Sequence, residues 1–74
     1  MKTETIRSEI TGSVWKIEAK PGDTLEAEGT VMILESMKME IPVIVPDGGR
    51  LIKLLVAEGD SIKEGQELAV IETP

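Results

Sequence analysis

GSVWKIEAKPGDTLEAEGTVMILE, residues 12–35, and GRLIKLLVAEGDSIKEGQELAVIE, residues 49–72, align without a gap at a shift of 37, half the length of the 74-residue chain. Five of the 24 pairs are identical: Gly12/Gly49, Lys16/Lys53, Gly22/Gly59, Asp23/Asp60 and Glu35/Glu72. Others keep their class, including Trp15/Ile52, Ile17/Leu54, Ala19/Val56, Leu25/Ile62, Val31/Leu68 and Ile33/Val70. A solenoid needs at least about three stacked units. Two copies therefore imply similar halves packed about a pseudo-twofold axis.

Within each half the apolar pattern has a period of two, and no stretch sustains a 3.6-residue stripe. Trp15, Ile17 and Ala19 fall on one strand face with Lys16 and Glu18 opposite. Ile52, Leu54 and Val56 take the equivalent face in the second half, with Lys53 pointing away. Turn signals recur at Pro21-Gly22-Asp23, Glu28-Gly29, Pro46-Asp47-Gly48-Gly49, Glu58-Gly59-Asp60 and Glu64-Gly65. One departure from the repeat stands out: it calls for glycine at 28, opposite Gly65, yet glycine stands at 29, which implies a local loop variation. The spacing predicts strands near 3–8, 13–19, 24–26, 30–36, 39–45, 50–57, 61–63 and 67–72. Eight short strands in two copies of four predict an all-β fold, a flattened eight-stranded barrel or sandwich of two four-stranded antiparallel halves with pseudo-twofold symmetry. The whole chain, residues 1–74, reads as a single domain.

Composition restricts what such a domain can do. The chain has no Cys, no His and one aromatic residue, Trp15, so disulfides, thiolate metal sites and the commonest metal ligand are ruled out. The core must be aliphatic, and Ile, Leu and Val supply 21 of 74 residues. Fourteen acids against eight bases give a net charge of −6, against nucleic acid or an anionic membrane as partner, since both select clustered Lys and Arg. The start, MKTETIRSEITG, carries no apolar targeting core, and no apolar run approaches the roughly 18 residues that span a bilayer. A cytoplasmic protein, monomeric in isolation, is the expectation. Without His or Cys, and with no serine in a G-x-S-x-G context, no catalytic residues are expected.

Between the β-like runs 30–35 and 40–45 lies Ser36-Met37-Lys38-Met39. A two-residue hairpin there needs backbone with φ > 0, which Asn-Gly or Asp-Gly supplies cheaply and Met-Lys does not. Turn chemistry that breaks the local rule marks a position kept for function. A hairpin-tip lysine presents its ε-amine to other proteins. Because an ammonium group is not a nucleophile, acylation requires an activated acid and an enzyme to deprotonate the lysine.

Glu35-Ser36-Met37-Lys38-Met39 resembles the attachment signature of biotinyl domains, usually Glu-Ala-Met-Lys-Met, with serine in place of alanine. The resemblance covers essentially the whole chain, through Gly12, Val14, the Lys20–Asp23 turn, Val31–Leu34, Val45-Pro46-xx-Gly49 and Ala57–Asp60. It implies the same flattened barrel and places the modified lysine on an exposed hairpin. Lys38 matches the lysine that forms an amide with biotin. Met37 and Met39 match the flanking methionines that help the ligase and carboxylase partners recognise the site, and Glu35 matches the glutamate three residues before the lysine. Ser36 carries no role beyond fitting the turn. The chain departs from many biotinyl domains in having Glu9-Ile10 where they have Pro-Met, and it has no segment for the protruding thumb of some bacterial carriers.

The function so implied is that of a biotin carrier, a substrate of biotin protein ligase. It would move a carboxyl group between biotin carboxylase and carboxyltransferase on a swinging arm. Lipoyl domains share the architecture but read Asp-Lys-Ala at the hairpin, so lipoate on Lys38 is the alternative cofactor. An unmodified β-barrel binding or assembly module is the alternative of another class.

Overall fold

The computed structural model describes residues 2–73. Eight strands are formed: β1 (Lys2–Arg7), β2 (Gly12–Ile17), β3 (Thr24–Leu25), β4 (Gly29–Ser36), β5 (Met39–Val45), β6 (Gly49–Leu54), β7 (Ser61–Ile62) and β8 (Glu67–Thr73). They make two four-stranded sheets, ordered β1-β8-β6-β3 and β5-β4-β2-β7, with every pairing antiparallel. A shift of 37 carries β2 onto β6 and β3 onto β7 residue for residue, and it exchanges the two sheets. Each sheet mixes strands of both halves. Neither repeat therefore owns a sheet.

The turns that carry the identical Gly-Asp pairs lock the halves together. The Asp23 carboxylate accepts from the Lys20 N–H at 2.9 Å, and the Asp60 carboxylate accepts from the Ala57 N–H at 2.8 Å. Their carbonyls reach into the opposite half: the Leu51 N–H donates to Asp23 at 2.9 Å and the Val14 N–H to Asp60 at 2.9 Å. Aspartate suits this place because its short carboxylate closes the turn on its own backbone.

The core is aliphatic, as expected, and follows the repeat. Val14 and Leu51, Val31 and Leu68, Met32 and Ala69, and Leu34 and Ile71 are buried in pairs. Full burial of a Val, Leu, Ile or Met side chain contributes about 1.5–3 kcal/mol, so these pairs dominate the stability of a chain without covalent staples.

Strict alternation fails at the matching place in β2 and β6. Val14 pairs with Leu34 but Lys16 with Ile33, and Leu51 pairs with Ile71 but Lys53 with Val70, so Trp15 and Ile52 are extra residues in bulges. A bulge resets which face a strand buries. Val14 and Leu51 point inward, while Trp15 is 47% exposed and Ile52 40% exposed. The face assignment for Trp15 and Ile52 is thus corrected: they lie outside, on the same side as the lysines. Strands β2 and β6 also end at Ile17 and Leu54, earlier than the pattern predicts.

The loop before β4 is a second correction. Glu28 adopts φ 64 and donates its N–H to Val45 at 2.8 Å; Gly65 adopts φ 87 and donates to Ser8 at 2.7 Å. The backbone keeps the repeat, and a glutamate takes the left-handed conformation that the second half gives to glycine.

Candidate functional site

The β4–β5 pairing continues to Ser36 opposite Met39, which leaves Met37 and Lys38 as the whole turn. Their φ values are 52 and 66. Two consecutive left-handed residues define the turn whose twist matches that of the flanking strands. Both residues carry side chains, so the strain is accepted at the place where Lys38 stands.

Packing below the turn holds it in one orientation. Ser36 Oγ donates to the Thr11 carbonyl at 3.0 Å. Gly12 runs so close that a β-carbon there would lie 2.2 Å from the Glu35 carbonyl oxygen. The repeat shows the same approach at the other end, where a β-carbon on Gly49 would lie 2.4 Å from the Glu72 carbonyl oxygen. Gly12/Gly49 identity thus signals strand proximity, a meaning the sequence alone did not disclose. Thr11 carried no signal.

Met37 and Met39 are 91% and 64% exposed, and Lys38 is exposed between them. Lys38 enters neither of the two ion pairs among the described residues, Arg7–Glu67 at 3.2 Å and Lys16–Glu18 at 3.8 Å. Glu35 is exposed and sits directly across the hairpin from Glu40. Opposed carboxylates repel, and they leave the base of the tip acidic. All five residues singled out in the sequence, Glu35, Ser36, Met37, Lys38 and Met39, lie in this hairpin, and Glu40 joins them. By contrast Met32 is fully buried.

The tip stands at one end of the long axis. The molecule measures 35 × 17 × 17 Å, and strands of six to eight residues at about 3.3 Å per residue run along the long dimension. Arg7 at the end of β1 contacts Gly65 and Glu67, while Lys2 at its start pairs with Thr73. The loop after β1 meets the hairpin through Thr11 and Ser36. The first and last described residues therefore lie at the end opposite Lys38.

A protein-family model for the biotin/lipoyl attachment domain, described as "Biotin-requiring enzyme", matches residues 1–73. The chain belongs to the biotin/lipoyl attachment family. It is 41% identical over 64 residues to the biotin/lipoyl attachment protein of Bacillus subtilis, covering 86% of this chain and 88% of that one. It is 41% identical over 68 residues to the biotinylated protein TB7.3 homolog of Mycobacterium leprae, covering 92% and 96%. Other relatives are much longer: 95% of this chain aligns at 40% identity with 4% of the urea amidolyase of Saccharomyces cerevisiae. The crystal structure of the Kluyveromyces lactis urea carboxylase contains a matching region with a TM-score of 0.89 at 39% identity, over 97% of this chain and 6% of that one. Biotin/lipoyl attachment domains are carriers without catalytic groups of their own, and the family takes biotin or lipoate covalently.

Proposed function

We propose that this chain is a biotin carrier modified on Lys38. The observation that carries the reading is the hairpin itself: a lysine on left-handed backbone in the two-residue turn between β4 and β5, between two methionines exposed by 91% and 64%. A core residue would not be placed so, and a purely structural turn would use Asn-Gly.

The residues present fit an acylated lysine. Lys38 is exposed and outside both ion pairs found among the described residues, so a ligase can reach its amine, remove the proton and present an activated carboxyl group. Nζ then attacks that carboxyl carbon, an amide forms and the activating group departs. Met37 and Met39 supply adaptable apolar contacts for the ligase and later for partner enzymes. The bracing of Ser36 and Gly12 sets the base from which the arm extends. When bound, biotin supplies carboxyl carriage between a biotin carboxylase and a carboxyltransferase. The chain's own contribution is reach and a high effective concentration of the arm at both sites. Among the relatives, names that include biotinylation and urea carboxylation support this reading over the alternative, lipoate on the same lysine.

The test is the intact mass of the protein purified from its own host, beside a Lys38→Ala control. A biotinyl increment lost in the control is the expected result. A lipoyl increment would transfer the reading to the other cofactor. An unmodified chain in cells with active ligase would overturn both.

A further inference from the structure

The pseudo-twofold symmetry is broken where Ile10 and Asp47 correspond, and the break opens a groove. At the hairpin end, Ile10 packs against the core. It is held there by Ser8, whose buried hydroxyl donates to the Ile10 carbonyl at 2.7 Å and accepts from the Ile10 N–H at 3.2 Å. A shift of 37 carries Ile10 onto Asp47 and Ser8 onto Val45. The second half thus lacks both the apolar plug and the hydroxyl clamp, and the Gly48 N–H closes a turn onto Val45 at 3.1 Å instead.

What remains is a groove of about 60 Å³, partly open to solvent, lined by residues that include Glu4, Ile6, Ile44, Asp47, Gly48 and Ile71. Its volume is far below the range for ligand pockets, about 300–1,000 Å³, which suits a single side chain rather than a cofactor. The floor is apolar, with Ile71 buried and Ile44 left 42% exposed. Among the described residues, the charged ones that line it are the carboxylates Glu4 and Asp47, and none of the lining is cationic. We propose that this groove is a docking site for a peptide segment of a partner protein that presents an aliphatic side chain beside a cationic one. The aliphatic group replaces the plug that Ile10 provides at the other end. The cation meets Glu4 and Asp47, giving charge complementarity in a chain of net charge −6. Because the groove lies at the end opposite Lys38 on a body 35 Å long, docking there holds the domain while leaving the hairpin free. The proposal does not depend on which group Lys38 carries.

The test uses the full chain, labelled for amide-resolved NMR and titrated with acetyl-Lys-Leu-Lys-amide. Acetyl-Lys-Gly-Lys-amide and acetyl-Glu-Leu-Glu-amide serve as controls. Saturable shifts confined to Ile6, Ile44, Gly48 and Ile71, produced by the first peptide alone and diminished by salt, are expected. Asp47→Ile, which restores the plug, should weaken that binding at least about fivefold while raising thermal stability and leaving ligase labelling of Lys38 unchanged. Ile44→Asp, at an already exposed position, should weaken binding to a similar degree without filling the groove. Shifts scattered over the acidic surface, equal responses to the leucine and glycine peptides, or equal binding by wild type and both variants would overturn the proposal.

Discussion

Lys38 and Met37 hold backbone that L-residues enter only at a cost of about 1–2 kcal/mol each. That strain is the residue-scale signature of the site, and it is legible in the residues themselves, because Ser36-Met37-Lys38-Met39 offers no turn former between two β-like runs. It also makes a prediction about stability and function together. Lys38→Gly relieves the β-carbon clash and loses part of the gain to the greater freedom of glycine in the unfolded chain. The expected outcome is a protein more stable by about 0.5–1 kcal/mol, measured by urea unfolding, that accepts no adduct. A less stable variant would show that the lysine side chain supports the turn. Glu28 offers the same comparison away from the site, since its counterpart Gly65 shares its left-handed backbone. Glu28→Gly should stabilise by a similar amount, about 0.5–1 kcal/mol, with modification of Lys38 unaffected.

At the scale of elements, the strands were legible to within a few residues and the faces of β2 and β6 were not. Period-two patterning locates a strand, but a bulge changes its phase without leaving a residue that announces it. Alternation puts Trp15 on one face with Ile17 and Ala19, and the bulge turns it out while Val14 enters the core. Gly12 is the element-scale determinant of the hairpin's placement. A β-carbon 2.2 Å from the Glu35 carbonyl oxygen cannot be accommodated without moving backbone. Gly12→Ala should therefore destabilise by about 2–4 kcal/mol and slow ligase labelling of the fraction that remains folded. Gly49→Ala, with the equivalent clash against Glu72 at the far end, should destabilise comparably and label normally. Equal labelling of the two folded variants would remove Gly12 from the positioning of the tip.

At the scale of the whole molecule, the balance of charge is unfavourable. Net charge is −6, and the two ion pairs among the described residues are both solvent-exposed. Pairs of this kind contribute about 0–1 kcal/mol. Screening the mutual repulsion of the acids should thus outweigh the loss of such pairs. Melting temperature is expected to rise as the Debye length falls from about 30 Å at 0.01 M salt to about 3 Å at 1 M. A fall with salt would mean that attraction between opposite charges governs stability.

Taken alone, the amino-acid order determined the repeat, the strand number and spacing, the aliphatic core and the lysine at the centre of the chain. These follow from periodicity, composition and turn chemistry, which act between near neighbours. Tertiary structure alone decided that the halves interleave, with strands of both in each sheet, because pairing partners such as β1 with β8 and β6 with β3 are chosen only when distant segments pack together into the two sheets. It decided that Trp15 faces out and that Thr11 and Gly12 brace the tip. It also left a groove where Asp47 stands in the place of Ile10, since contacts of this kind exist only once distant segments have met.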